Sequence, residues 1–380
     1  MGDPRHSDSD RQEMEYAYST PDVYARLGLT GCINATGHVT RLGGSLMPPE
    51  VLDAMADAAG AYVQIDELHR AVGKRLAQLT GAQAALVTSG AAGSIVLAAA
   101  ACMASCEKER ILRLPDASGF KNEVLMPPTP GWPWVRYVRN AGGEIVECAD
   151  VAVLEEKVGD GSAMLLYLPS VHDDGPIPLD EILAIGRRAS VPVMVDAADK
   201  LPPPENLRRL NALGIDLVGF SGGKGLSGPQ CTGLLMGRSD LIEAAYLNSQ
   251  SPGVGRPMKV GKEEIVGLLA AVELYINRDH DKERARWEGQ LDHIEGCLRG
   301  IPGVETEQYD DTRTAEGRRL AIRLSDAGRS GAEVRKALTE GSPRIFLGSG
   351  KDGVLTINPQ TMRPGEERLV AERLLEAIGG

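Results

Sequence analysis

Leu217-Val218-Gly219-Phe220-Ser221-Gly222-Gly223-Lys224-Gly225 is a short apolar run that ends in a loop of small residues around one lysine. Upstream, Val193-Met194-Val195-Asp196 is a second apolar run, closed by a carboxylate. Further upstream, Ala84–Thr88 turns through Ser89-Gly90-Ala91-Ala92-Gly93 into an Ala-rich helical stretch reaching about Cys106. Between these lie apolar runs at 123–126, 144–147 and 163–168, separated by helical stretches at 132–141, 151–158 and 179–189. Short strands that are apolar on both faces and alternate with helices predict a largely parallel sheet covered on both sides, an α/β architecture. Residues 232–236 read as a further strand, parallel or antiparallel.

Working outward, Pro48-Pro49 opens a helix through about Tyr62, with proline favoured in the first turn. Asp66 is placed to cap a second helix that ends near Thr80-Gly81. A long helical region is expected from Glu263 to Leu298, followed by a small α+β part. Its strands fall near 304–309, 319–324, 345–347 and 354–358, and its helices near 332–339 and 366–378. Residues 1–20 are polar and read as an arm, or as a segment lying on a partner subunit. The expected organisation is an N-terminal segment over 1–45, a large ligand-binding domain over 46–260, and a linker helix with a small C-terminal domain over 261–380.

The 380 residues carry a formal net charge of −12, which disfavours nucleic acid as a partner. The six cysteines form no CxxC pair, so no zinc ribbon is expected; most sit in apolar stretches and read as buried free thiols. No histidine–carboxylate cluster suggests a metal site. No run of about 20 apolar residues is visible, so a cytoplasmic protein without a membrane segment is expected.

The chemistry concentrates where strands meet loops. Ser89–Gly93 at a strand-to-helix junction exposes backbone N–H groups, a phosphate cup or merely a tight packing turn. It does not match GxGxxG, so a dinucleotide is disfavoured. Asp196 ends a buried strand, where carboxylates point into the ligand crevice of open α/β sheets. There it can hold a pyridine nitrogen protonated, a pair worth about 4 kcal/mol at ~4 Å and an effective dielectric of 20, or cap the next segment; Asp199 competes for either role. Lys224 is flanked by glycines and suits an imine-forming nucleophile and base. A Walker A loop fails, because Val218 stands at its first glycine and Gly225 where Ser or Thr should follow. Ser221 can bond a phosphate or stabilise the turn, and His172, after the 165–168 strand, can stack on a ring, shuttle protons or lie on a surface loop.

The order of turn, aspartate and lysine resembles fold type I enzymes that use pyridoxal 5′-phosphate (PLP). Ile33-Asn34-Ala35-Thr36-Gly37, the stretch Leu79–Val87, and Ser221-Gly222-Gly223-Lys224-Gly225-Leu226-Ser227-Gly228-Pro229-Gln230 resemble their selenocysteine synthase-like branch, the L-seryl-tRNA(Sec) selenium transferase-like enzymes. Gly253-Val254-Gly255-Arg256-Pro257-Met258-Lys259-Val260-Gly261-Lys262-Glu263 resembles the D-glucosaminate-6-phosphate ammonia-lyase type within it. The resemblance covers roughly residues 25–380. It implies a seven-stranded-type, mainly parallel sheet with a small C-terminal α+β domain, and PLP bound through Lys224. Asp196 would face the ring nitrogen, with Ser89, Gly90, Ala91 and Ser221 at the cofactor phosphate. Arg256 and Lys259 would add positive charge there, across a subunit interface. Asn34, Arg41, Gln360 and Arg363 are expected to face the substrate, and Lys224, Asp196 and His172 to carry the chemistry. Such enzymes are homo-oligomers, dimers or rings of dimers, acting on small molecules.

Two departures bear on the substrate. Gln360 stands where relatives often carry an arginine, with Arg363 as the compensating cation, or with a substrate that lacks the anion. Pro127–Trp132 replaces a stretch expected to contain histidine, so Trp132 or Trp134 would reshape the pocket. The expected reaction is PLP-dependent lyase or isomerase chemistry on an amino acid or amino sugar acid, by α-proton abstraction and then β-elimination with loss of ammonia. Racemisation shares its first steps; transamination is a third choice. tRNA-dependent selenium transfer is disfavoured by the short stretch before Ile33 and the acidic charge, and a non-catalytic PLP-binding protein is the remaining class.

Overall fold

The structure is a computed structural model that describes residues 20–131, 133–325 and 328–379, without the side chains of Pro133 and Trp134. The expected arm over 1–20 lies outside the described residues except for Thr20, and so does Trp132. The described residues fall into two compact units. The larger is Ser45–Arg278 with Arg313–Glu316; the smaller comprises the described residues of Met1–Gly44, Asp279–Thr312 and Gly317–Gly380.

The larger unit holds a seven-stranded sheet. Its strands are β2 (Ala84–Thr88), β3 (Glu123–Met126), β4 (Glu144–Glu147), β5 (Ser162–Tyr167), β6 (Val193–Asp196), β7 (Leu217–Ser221) and β8 (Gly233–Gly237), in the order β2-β8-β7-β6-β5-β3-β4. Strands β4, β3, β5, β6 and β7 pair in parallel, and β8 runs antiparallel to both its neighbours. Alternate residues of one strand feed opposite faces: Leu165 and Tyr167 join one apolar core, Met164 and Leu166 the other. That is why these strands read as continuous apolar runs. The helix Gly90–Ala104 is apolar all round and almost wholly buried. The helices Ile65–Thr80 and Lys262–Asn277 cover the opposite face.

Asp66 does not cap its helix. The helix starts at Ile65, which places Asp66 in the first turn, and its carboxylate accepts from the Tyr246 hydroxyl at 2.7 Å. The helical stretch expected over 263–298 is two helices, Lys262–Asn277 and His280–Leu298. Asp279 accepts from the Lys282 N–H at 2.9 Å and so starts the second helix afresh. Of the cysteines only Cys148 is buried; Cys106, Cys231 and Cys297 are exposed. No described helix is long and apolar enough to cross a membrane.

The smaller unit has its own core and a five-stranded sheet. Here β1 (Cys32–Ala35), β9 (Val304–Asp311), β10 (Gly317–Leu324), β11 (Arg344–Ser349) and β12 (Leu355–Ile357) run in the order β1-β11-β12-β10-β9. β1 pairs in parallel with β11, Ile33 opposite Ile345, so the Ile33–Gly37 motif begins as a strand of this sheet.

Where β8 begins, its backbone comes against the turn after β2. A Cβ on Gly233 would stand 2.5 Å from the Gly90 carbonyl carbon. Gly233→Ala is therefore expected to push β8 off the turn at a cost of roughly 1–3 kcal/mol. Urea unfolding checks this: the midpoint falls while the m-value stays that of the parent.

Candidate active site

The site is built from the carboxyl ends of β5, β6 and β7, where parallel strands deliver their loops to one edge. β6 lies between β5 and β7, and its last residue, Asp196, is in register with Gly219. The chain then turns tightly. Ala197 N–H donates to Gly219 O at 2.8 Å, and Ala198 N–H to Asp196 Oδ1 at 3.1 Å. Burial pushes the Asp196 carboxyl up to about 6, and the charge of Asp199 adds to the rise. The Ala198 N–H and the nearby Lys224 charge act in the opposite direction. Lys224 and Asp196, far apart in sequence, thus share one electrostatic neighbourhood.

The lysine loop owes its glycines to packing. A Cβ on Gly225 would lie 2.3 Å from Leu201 O, and one on Gly222 2.0 Å from Thr232 Oγ1. The loop is knit by Gly222 N–H to Thr232 O at 2.8 Å, Gly228 N–H to Gly222 O at 2.8 Å and Ser45 N–H to Gly223 O at 3.0 Å. Lys224 itself stays half-buried. Across the sheet, Thr88 is in register with Gly233, and Gly233 with Ser221. That row brings Ser221 to within two strand spacings, about 10 Å, of the Ser89–Gly93 turn. Gly90 has φ +70°, a left-handed conformation that costs glycine little. Ser89 makes no side-chain capping bond, so the first-turn N–H groups of the helix Gly90–Ala104 have neither a capping side chain nor a helical acceptor.

His172 sits on a single helical turn, Pro169–His172, just after β5. Its Nδ1 accepts from Leu168 N–H at 3.1 Å, which assigns the ring proton to Nε2. Nε2 is buried and has no partner. Burial holds the imidazole down at about 4, so it is neutral at pH 7. A buried N–H without an acceptor and a half-buried carboxylate that, among the described residues, accepts from one backbone N–H are both costly. Both fit a ligand with a protonated ring nitrogen and hydrogen-bond acceptors, which PLP is. Ser89, Gly90, Ala91 and Ser221 fit as the phosphate end, with hydroxyls and helix N–H groups as donors.

Other expected residues stand elsewhere. Arg256 and Lys259 are exposed on the segment after the helix Ser239–Ser249. Asn34, Arg41, Gln360 and Arg363 belong to the smaller unit. Asn34 Oδ1 accepts from Thr36 N–H at 3.0 Å and its Nδ2 donates to Gly37 O at 3.0 Å, so its side chain shapes the local turn. Arg41 lines a cavity of about 430 Å³ together with Arg335. Arg363 N–H donates to Glu366 Oε2 at 2.8 Å. Gln360 is buried, and a Cβ on Gly317 would meet both its Nε2 at 3.2 Å and Arg319 Nη1 at 3.3 Å. Arg319, 4% exposed, is thus a guanidinium beside Gln360 that the sequence reading passed over. The alternation of β10 gave no signal for it, because Arg319 shares a face with Ala321 and Arg323, opposite the core residues Leu320 and Ile322. A cavity of about 680 Å³ in the larger unit lies at the edge strand β2, lined by His69 and Tyr246 and by none of the expected site residues.

Residues 177–287 match the L-seryl-tRNA selenium transferase family. The chain is 36% identical over 373 residues to a 5′-C-glycyluridine monooxygenase-decarboxylase of a Streptomyces species, covering 93% of this chain and 92% of the relative. It is 33% identical over 372 residues to the D-glucosaminate-6-phosphate ammonia lyase of Salmonella typhimurium, covering 94% and 98%. A solved D-glucosaminate-6-phosphate ammonia-lyase superposes with a TM-score of 0.84 at 32% identity, over 95% of this chain and 99% of that one. A serine palmitoyltransferase from S. paucimobilis with a bound PLP–myriocin aldimine shares the fold, at a TM-score of 0.58 and 14% identity over 91% and 87%. This chain belongs to the selenocysteine synthase-like family of fold type I PLP enzymes. It is an enzyme, and its full-length match to the Salmonella protein supports lyase activity.

Asp196 leaves a signature in the cofactor-free protein. Its carboxyl rises from an ordinary 3.8 to about 6. Between these values the unfolded chain has lost a proton that the folded chain keeps, so ionisation costs stability as pH rises through the window. Asp196→Asn removes that cost. Its cofactor-free thermal midpoint is expected above the parent's at pH 8 and level with it at pH 4, as differential scanning calorimetry would record.

Proposed function

We propose that Lys224 carries PLP and that the enzyme acts at the amine-bearing carbon of an amino acid or amino sugar acid. The observation that carries the reading is that the adjacent ends of β6 and β7 bring the half-buried Asp196, in register with Gly219, into electrostatic reach of Lys224 in the loop that follows β7. When bound, the cofactor supplies an electron sink for negative charge on that carbon. Asp196 would keep the ring nitrogen protonated, and its raised carboxyl makes it a willing partner for a cation. His172, neutral, would offer its Nε2–H to an acceptor on the ring or the substrate. Lys224 Nζ, freed when the substrate amine takes its place, would remove the proton from the carbon. Loss of a β-substituent and then of ammonia completes the elimination.

Arg256 and Lys259 would act from a neighbouring subunit, since each stands exposed on its own chain, and we propose a homo-oligomer on that ground. Asn34, Arg41, Gln360 and Arg363 would face the substrate, with Arg319 the candidate to support Gln360. Oxidative decarboxylation at the same carbon is the second reading, favoured by the 36% identity to the Streptomyces relative. Racemisation needs only that the proton return to the opposite face.

Borohydride treatment of the PLP-loaded protein is expected to bleach the visible band and to leave a pyridoxyl group on the Lys224 peptide, read by mass spectrometry. Lys224→Ala is expected to lose that label and at least about 100-fold of its activity. Ammonia release from D-glucosaminate 6-phosphate and from D- and L-amino acids separates elimination from racemisation, and carbon dioxide release under oxygen reports the second reading. A folded, PLP-treated parent with no band and no labelled lysine would sink the proposal.

A further inference from the structure

Two bonds run side by side between the single turn Pro169–His172 and the turn that follows β6. Ser170 Oγ donates to Asp199 Oδ1 at 2.5 Å. Lys200 Nζ donates to Asp173 Oδ2 at 3.1 Å. Ser170 and Asp173 bracket His172 in sequence, while Asp199 and Lys200 close the turn that Asp196 opens. Ser170 and Lys200 are each only 8% exposed, so each bond has one buried end, while the Asp173 side chain is itself half-exposed. Asp173 is also held by the Tyr167 hydroxyl at 3.2 Å, and the Tyr167 ring meets His172 edge-on at 5.1 Å. On the other side, Lys200 Nζ donates to Arg313 O at 3.0 Å, and Lys200 O accepts from Asn206 Nδ2 at 2.8 Å.

We infer that Ser170 and Asp199, with the Asp173–Lys200 bond beside them, are positioning residues that fix His172 relative to Asp196. A lone helical turn has almost no stability of its own, because nucleation costs more than one turn of hydrogen bonds returns. His172 has already committed Nδ1 to the Leu168 N–H, so a small rotation of the turn carries its Nε2 with it. The cross-links tie that turn to the β6 strand end, which the sheet holds on both sides. The tie matters because an error of about 1 Å in a catalytic group costs up to roughly 100-fold in rate. Neither Ser170 nor Asp199 need touch the cofactor for this. The inference rests on the cofactor reading above, in which His172 and Asp196 address one bound ring.

The test is visible-region circular dichroism of the PLP-loaded protein, which reports how the bound ring is held and needs no substrate. Ser170→Ala is expected to stay folded and keep the absorbance band, with its dichroism weakened and its sign or maximum displaced. Ser170→Thr, which retains the hydroxyl, is expected to restore the parent signal. Asp199→Asn keeps the shape and one acceptor, and serves if Ser170→Ala does not fold; it shows the same change at smaller size. Parent-like dichroism in the folded Ser170→Ala and Asp199→Asn proteins overturns the positioning role while leaving the cofactor reading intact. A loaded parent without any visible band overturns both.

Discussion

A carboxylate that the fold has moved partly out of water governs this protein. Asp196 ends a strand flanked on both sides by parallel neighbours, and the sheet leaves its side chain little freedom and little solvent. Burying a charge of this kind is tolerated only where something of opposite charge meets it. Lys224 answers part of that need, while Asp199 makes it worse. The arrangement is unfavourable for a protein that binds nothing and well suited to one that receives a cationic ring. The energetic strain and the proposed chemistry therefore have one origin, which is the usual relation between perturbed titration and function.

The elements around this carboxylate are there to deliver groups to the same edge of the sheet. The register Thr88–Gly233–Ser221 lines up the turn after β2 and the end of β7 across the intervening antiparallel strand β8. Close approaches at Gly222, Gly225 and Gly233 allow the three loops to pack without side chains between them. The same glycines that look like a recognition loop in sequence are demanded by sterics. Packing alone demands glycine at these positions, and Lys224 between two of them stays half-buried.

Much of this was legible in the amino-acid order. The buried strands of the large sheet declare themselves because parallel strands are apolar on both faces, and Asp196 and Lys224 declare themselves because charged groups interrupt such runs. Local signals misled where a helix boundary fell elsewhere than expected. Asp66 looks like a helix cap but bonds Tyr246, and the helix expected across 263–298 restarts at Asp279 because that side chain satisfies a new first turn. The cysteines in apolar stretches depart from the buried expectation for a related reason. Neighbouring apolar residues say nothing about which face a helix or loop turns outward, and Cys106, Cys231 and Cys297 face solvent.

What the sequence determined by itself is the alternation of strands and helices, the small-residue loop, and the residues that bring charge to strand ends. These follow from periodicity and backbone preference, which act over a few residues. Tertiary structure alone decided which polar groups meet. It placed β1 against β11, set Arg319 beside Gln360, left Nε2 of His172 without a partner, and joined Ser170 to Asp199 across 29 positions. Such pairings depend on strand order and register, which arise from the competition of all the apolar surfaces for burial and are written in no local stretch of chain.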